Sequence, residues 1–256
     1  MKDLASLLAV AASLLFFTAG SMRCAIGQEY DIVINGGRVI DPESNLDGVR
    51  HLGIKDGRIT TVSVDPLDGA KVVDATGLIV APGFIDFHAH GQNMASDRMQ
   101  AFDGVTTALE LESGILPIGE WYANQEKAGR VINYGASAAW TYARVSALEN
   151  LKPEPTLFWF QDAYALTHWV NDVATDDQQK QILEMIEQGI KEGSIGIGLN
   201  SGYAPGYGYK EVLAVHQLAA KYGVPTFTHI RNLSRLDPNS SIQAYGELIS
   251  FATGAG

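Results

Sequence analysis

The chain carries two patterns of apolar and polar residues, one on either side of Pro82. Between Tyr30 and about Val80, short runs alternate apolar and polar side chains, which is typical of β-strands that bury one face. Asn35-Gly36 and Asp56-Gly57 interrupt these runs, and both dipeptides favour the type I′ turn of a β-hairpin. Residues 28–81 are therefore predicted to form a small antiparallel β domain of the sandwich type.

After Pro82, predicted strands alternate with predicted helices. The clearest helix begins at Thr175, because Thr175 and Gln178 have the spacing of a capping box and a single apolar stripe follows them. Further helices are predicted at Glu211–Tyr222 and Ser241–Ala252. The predicted strands are Phe84–His90, Thr106–Glu112, Ile132–Ala139, Ser194–Asn200 and Pro225–Arg231.

Alternating strands and helices imply parallel strands joined by helical crossovers, in either a doubly wound sheet or a (β/α)8 barrel. No GxGxxG motif follows the first of these strands, whereas the candidate site residues lie at the carboxyl ends of several strands, as in a barrel. We therefore predict the α/β class and a (β/α)8 TIM-type barrel. Residues 82–256 contain only about five of the eight strands that such a barrel needs. They are predicted to be the N-terminal part of a barrel that is truncated after Gly256.

Composition and charge restrict the function further. The 256 residues are 46% hydrophobic, which is enough to bury a substantial core. They include 18 Lys and Arg against 29 Asp and Glu, and the net charge of -11 argues against nucleic acid or an anionic membrane surface as a partner.

The N-terminus has the pattern of a signal peptide. An apolar run from Leu4 to Ala19 follows Lys2 and precedes small residues, so residues 1–27 are predicted to be removed before Gln28 and the protein to be exported, to the periplasm or beyond the cell. The single cysteine, Cys24, lies in this segment, which leaves the mature chain without a disulfide or a thiolate ligand. A retained membrane anchor and lipid attachment at Cys24 are the alternatives.

His88 and His90 end the first predicted barrel strand. Alternate residues of a strand face the same side, so the two imidazoles are expected to converge, and such a pair is a common beginning of a zinc site. His229, at the end of the fifth predicted strand, is the expected third ligand. Glu110 and Glu112 share one face of the second strand, and burial of both carboxylates requires a cation or another partner. We expect Glu112 to be the ligand because it lies nearer the barrel mouth, and Glu110 is the alternative.

Four segments, taken in order, resemble the amidohydrolase superfamily and most of all its N-acyl-D-amino-acid deacylase (D-aminoacylase) branch. The segments are Pro82–His90, Gly104–Gly114, Gly193–Gly206 and Phe227–Asn232. The resemblance implies a barrel with one or two zinc ions that hydrolyses an amide bond next to a D-amino acid. His88 and His90 match the first-strand ligands of the family, and His229 matches the fifth-strand ligand.

The chain also departs from the family pattern. Glu112-Ser113-Gly114 stands where the best-known members of the branch place a metal-bridging cysteine, so Glu112 is the expected substitute. The fourth strand has no lysine that could be carboxylated, which disfavours a hydantoinase-like or dihydroorotase-like site. The sixth-strand histidine and the eighth-strand aspartate, which is the general base, are expected beyond Gly256. The chain by itself is therefore expected to be inactive.

Further residues are candidates for the surroundings of this site. Tyr203 matches a tyrosine of the family's substrate-side loop, and the alternative is a loop aromatic that packs on Pro205. Arg231 is a candidate for binding a substrate carboxylate, and the alternative is an internal salt bridge. Asp86 is expected to support the site without binding the metal. The remaining histidines are predicted to be structural or surface residues: His51, His168 and His216.

The sequence therefore predicts a zinc-dependent hydrolase whose partner is a small N-acyl amino acid. Another amidohydrolase reaction, such as that of a dipeptidase or a deaminase, and a non-catalytic barrel that only binds are the alternatives.

Overall fold

The computed structural model describes residues 29–256, and the predicted signal peptide with Cys24 lies outside them. These residues divide into two compact units, with the boundary between Pro82 and Gly83. None of the helices within residues 29–256 is long and apolar enough to cross a bilayer.

The N-terminal unit contains one five-stranded sheet. Strand β1 (Tyr30–Asp41) pairs antiparallel with β2 (Leu46–Lys55), and β2 pairs antiparallel with β3 (Arg58–Ser63). Strands β4 (Gly69–Asp74) and β5 (Ile79–Val80) pair parallel with β1. The prediction of an antiparallel domain was wrong for these two strands, because the chain after β3 returns to the far edge of β1. The described residues of this unit supply one layer of the predicted sandwich.

The two predicted turns of this unit have different outcomes. Asp56 and Gly57, with φ of 50° and 72°, form the hairpin turn between β2 and β3, as predicted. The hairpin predicted at Asn35-Gly36 was wrong, because β1 continues through both residues with a shift of register between Ile34 and Gly37. Asn35 donates from its side chain to the Leu67 carbonyl at 2.9 Å, and Gly36 has a φ of 78°, so the positive φ serves a β-bulge.

Five parallel strands form the sheet of the second unit, and their spatial order is their order along the chain. A doubly wound sheet reverses its strand order at one point, whereas a barrel adds each strand beside the last. The sheet is therefore part of a barrel, and the α/β fold class is as predicted. The strands are β6 (Phe84–Asp86), β7 (Val105–Ile115), β8 (Asn133–Ala139), β9 (Ile197–Asn200) and β10 (Thr226–His229).

Helices lie between and after these strands. They are α1 (Met94–Phe102), α2 (Ile118–Ala128), α3 (Trp140–Glu149), α4 (Leu157–Ala163), α5 (His168–Asn171), α6 (Asp176–Lys191), α7 (Tyr209–Tyr222) and α8 (Ser241–Ala255).

Helix α6 forms where the sequence predicted it. The Gln178 N–H donates to Thr175 Oγ1 at 3.3 Å and the Thr175 N–H donates to Gln178 Oε1 at 2.9 Å, which completes the capping box. Ile182 and Ile186 are fully buried, and full burial of such a side chain stabilises the fold by about 1.5–3 kcal/mol. Gly193 follows the helix with a φ of 103°, a conformation that favours glycine.

A buried ion pair lies in the core between the helices. Arg144 of α3 and Glu211 of α7 are almost without exposure to solvent, and the guanidinium donates to the Glu211 carboxylate. Glu211 also accepts from Trp140 Nε1 at 2.8 Å, while Arg144 Nε donates to the Trp169 carbonyl at 2.6 Å. Burial raises the pKa of Glu211, and the Arg144 charge opposes that rise. The pair thus connects α3, α5 and α7.

The first barrel strand is shorter than predicted. Strand β6 ends at Asp86, so His88 and His90 lie in the irregular segment that follows it. Asp86 Oδ1 accepts the His88 N–H at 3.0 Å, and such a local bond turns the chain out of the sheet.

Candidate metal centre

The candidate site gathers at the carboxyl ends of three strands. His88 and His90 follow β6, Glu110 and Glu112 lie in the second half of β7, and His229 is the last residue of β10. The carboxyl ends of parallel strands meet at one edge of the sheet, which is where barrels assemble their active sites.

His88, His90 and Glu112 form a compact group whose ligand atoms all lie within 4.8 Å of one another. Glu112 Oε2 is 3.5 Å from His88 Nε2 and 3.3 Å from His90 Nε2. Ligand atoms of a tetrahedral zinc site stand about 3.4 Å apart, since zinc–nitrogen bonds are ~2.0–2.1 Å long. The donor types and the two separations from Glu112 therefore fit a zinc ion. The two imidazoles meet edge to face with centroids 4.8 Å apart, although they do not lie on a regular strand.

Glu110 orients His90. His90 Nδ1 lies 2.9 Å and 3.1 Å from the two carboxylate oxygens of Glu110, which is only 2% exposed. A carboxylate that accepts from one ring nitrogen fixes the tautomer and leaves the other nitrogen free for a metal. Glu110 thus has the position of a supporting carboxylate, and Glu112, the ligand we expected, has the position of a donor.

His229, the expected third ligand, lies outside this compact group and contacts it through Glu112. Its Nδ1 lies 2.6 Å from Glu112 Oε1, so the carboxylate stands between this histidine and the His88–His90 pair. The turn after β9, Ser201–Tyr203, lies against His229: Ser201 Oγ donates to the His229 carbonyl at 2.8 Å, and the Tyr203 ring lies 5.0 Å from the imidazole.

A proton on His90 offsets part of the negative charge of the two glutamates. Hydrogen bonds with Glu110 and Glu112 raise the pKa of His90 to about 10. Burial alone would raise the pKa of Glu112, but the bonds from His90 and His229 outweigh it and hold the pKa below its usual range. Burial raises the pKa of Glu110, against the effect of His90. Two carboxylates in one place demand positive charge, which a divalent cation can supply when it replaces the proton of His90.

The two predicted substrate-binding residues have different surroundings. Tyr203 is 40% exposed and lies between His229 and Tyr164, whose ring centroid is 5.8 Å away. Arg231 packs 3.7 Å from the centroid of the Tyr207 ring and lies 3.5 Å from Glu247, so it makes the internal salt bridge that was its alternative.

The remaining histidines have structural surroundings. Buried His51 lies 2.9 Å from Asn35 Oδ1, and His216 Nδ1 donates to the Val212 carbonyl within α7. Burial lowers the pKa of His216. His168 is exposed at the start of α5 and pairs with Asp172 at 2.7 Å. Each agrees with the structural or surface role that we predicted.

Some residues beside the site could not be identified from the sequence. Asn200, at the end of β9, donates to Ser113 Oγ at 2.7 Å and so connects β9 to the residue after Glu112. Gln92 donates to the Ala89 carbonyl, between His88 and His90, and Arg130 donates to Gln92. Of these residues, only Asn200 could have been suspected from the sequence, because it lies at a strand end within a glycine-rich motif.

The fold is that of a (β/α)8-type barrel, and the carboxyl ends of its strands carry a candidate metal site. A model described as the amidohydrolase family matches residues 71–241, and the chain therefore belongs to that family. A D-aminoacylase of Alcaligenes xylosoxydans xylosoxydans is 29% identical over 224 residues, which are 80% of this chain and 45% of that protein. Within the family, the chain is similar to this D-aminoacylase over most of its own length.

Solved structures agree on the fold. N-acyl-D-glutamate deacylase of Bordetella bronchiseptica matches 90% of this chain and 50% of its own, with a TM-score of 0.72 and 22% identity. D-aminoacylase matches 88% of this chain and 50% of its own, with a TM-score of 0.68 and 19% identity. A dihydroorotase of Solibacter usitatus is 58% identical, but over only 60 residues, which are 23% of this chain and 14% of that protein. The chain thus spans half or less of the length of these relatives.

Proposed function

We propose that this chain belongs to a zinc-dependent amidohydrolase that cleaves the amide bond of an N-acyl-D-amino acid. The observation that carries the proposal is the convergence of His88, His90 and Glu112 beside a buried glutamate that orients His90. Support comes from two relatives: the deacylase structure contains zinc and a phosphonate inhibitor, and the D-aminoacylase is described as having a binuclear metal center. Whether one or two ions bind stays a prediction.

The residues of the site would have different roles. His88 and His90, through Nε2, and Glu112, through its carboxylate, would hold the ion, and His229 offers a further donor at the other side of Glu112. When bound, zinc polarises a carbonyl oxygen and lowers the pKa of a coordinated water. Glu110 keeps the proton on His90 Nδ1, which leaves Nε2 as a neutral donor. Tyr203, exposed above His229, is the candidate for contact with the substrate.

The first test separates the two glutamates. We expect Glu112→Gln to lose bound zinc, because it removes a donor, and Glu110→Gln to retain zinc with about 10–100-fold lower affinity, because it removes the partner that orients His90. Metal analysis of the purified variants and competition with a chelator measure these effects, with exposed Glu126→Gln of α2 as the control. Loss of metal in Glu110→Gln with full metal in Glu112→Gln would show that the roles are reversed.

The second test concerns the substrate. The protein encoded by the full reading frame should release amino acid from N-acetyl-D-amino acids and leave the L-isomers intact. Hydrolysis of dihydroorotate or of a dipeptide in their place would assign another amidohydrolase reaction, and bound zinc without any hydrolysis would favour a binding role.

We propose export as well, on the pattern of residues 1–27. The mature protein is expected to begin at Gln28, and N-terminal sequencing of the protein recovered outside the cytoplasm measures this. Recovery of the chain in the cytoplasm with Met1 retained would contradict the proposal.

A further inference from the structure

The segment that carries His88 and His90 is held by very few regular hydrogen bonds. Strand β6 ends at Asp86 and helix α1 begins at Met94, so the segment belongs to neither element. Ala89, between the two histidines, donates its N–H to the Leu109 carbonyl of β7 at 3.1 Å. Its carbonyl accepts from Gln92 Nε2 at 2.7 Å. The side chain of Gln92 therefore holds the backbone from which both imidazoles project.

Gln92 is held in turn by a buried guanidinium. Arg130 Nη2 donates to Gln92 Oε1 at 3.1 Å, which fixes the amide plane and directs Nε2 at Ala89. The Arg130 side chain is only 2% exposed and forks onto the fully buried carboxylate of Asp97 in α1. A guanidinium paired through two nitrogens to a carboxylate has little freedom to move.

We propose that Gln92, fixed by Arg130, is a positioning residue that sets the place of the two imidazoles for metal binding. The amide joins the fixed Arg130 to a segment outside the regular elements, because its oxygen accepts from Arg130 and its nitrogen donates to the Ala89 carbonyl. Loss of Gln92 leaves the Ala89 carbonyl without this donor. The backbone that carries the two histidines is then less well fixed. The inference rests on the proposed function, since it concerns ligands for zinc.

A second glutamine separates this role from a general contribution to folding. Gln125 Oε1 of α2 accepts from Arg130 Nη1 at 3.1 Å, the same length as the bond of Gln92, and both glutamines are half-buried. Within residues 29–256, the side chain of Gln125 bonds to Arg130 alone, whereas the side chain of Gln92 bonds to the Ala89 carbonyl as well. Gln125→Met is therefore a matched control for Gln92→Met.

The experiment compares zinc affinity in the full-length wild type, Gln92→Met and Gln125→Met, by competition with a chromophoric chelator. We expect Gln92→Met to bind zinc about tenfold or more weakly and Gln125→Met to match the wild type. The absorption spectrum of the Co²⁺ form should change in Gln92→Met alone, because it reports ligand geometry. Gln92→Glu keeps the acceptor for Arg130 and removes the donor for Ala89, and it should reproduce the loss if Gln92→Met does not fold.

A readout without metal keeps the two proposals apart. In the metal-free protein, hydrogen exchange at the Ala89 amide should be faster in Gln92→Met than in Gln125→Met, because the segment is less well held. Equal zinc affinity and equal exchange in the two variants would overturn the positioning role. A wild type that binds no zinc, but whose Ala89 amide is protected only when Gln92 is present, would refute the metal site and leave the positioning of the segment supported.

Discussion

Gly202 shows how little space surrounds the third candidate ligand. A Cβ atom at this position would stand 2.6 Å from His229 Cδ2 and 2.7 Å from the Ile230 carbonyl oxygen. Both distances are shorter than real Cβ contacts. The residue is a glycine because the turn after β9 approaches the imidazole with its backbone.

We therefore expect Gly202→Ala to displace His229 and to lower the free energy of unfolding by about 1–3 kcal/mol, the usual cost of overpacking. Zinc affinity should fall with it. Gly246→Ala is the control, since nothing lies within 4 Å of its added methyl group in α8, and there alanine should stabilise by about 0.5–1 kcal/mol. Urea denaturation measures both effects. A Gly202→Ala protein as stable as the wild type, with the same zinc affinity, would contradict this prediction. It would show that the turn can move away from His229 at no cost.

At the scale of elements, the ion pair of Arg144 and Glu211 joins helices that carry no part of the site. Its polar atoms find partners on three helices, and both side chains are cut off from water. A buried pair of this kind contributes less than its Coulomb attraction suggests, but removal of one partner leaves a charge with nothing to balance it.

Glu211→Leu is expected to destabilise the fold by about 3–5 kcal/mol, because Arg144 stays buried and charged. The double variant Arg144→Met with Glu211→Leu should recover much of that loss, since no charge is left. Thermal and urea unfolding of the three proteins measure the difference. A double variant as unstable as Glu211→Leu would mean that the helices depend on the bonds of Arg144 to the Trp169 and Asp172 carbonyls.

Elements were predictable where their signal was local. Thr175 and Gln178 lie three residues apart and bond to each other, so the start of α6 could be located from the sequence. Asn35-Gly36 carried an equally local signal for a hairpin, but distant partners decided the outcome, because Asn35 bonds to Leu67 and β1 keeps its pairing with β2. The end of β6 was missed for a similar reason, since Asp86 competes with the sheet for the His88 N–H.

For the whole molecule, the fold class and the identity of the converging side chains could be predicted, but the role of each side chain could not. Strand order follows from alternation of elements, and parallel strands bring their carboxyl ends together. Two glutamates on one face of β7 look alike in sequence, and only the distances to His90 distinguish the one that orients from the one that offers a donor. Gln92 and Arg130 lie 38 residues apart, and no pattern connects them.

The compact donor group has a consequence for the order of assembly. His88, His90 and Glu112 all belong to the single unit β6–α1–β7, whereas His229 lies 117 residues beyond Glu112. Closing a short loop costs less entropy than closing a long one. Three donors can thus come together on a nascent chain that has not yet emerged as far as β10. An ion captured at that stage would act as a template on which the later strands dock.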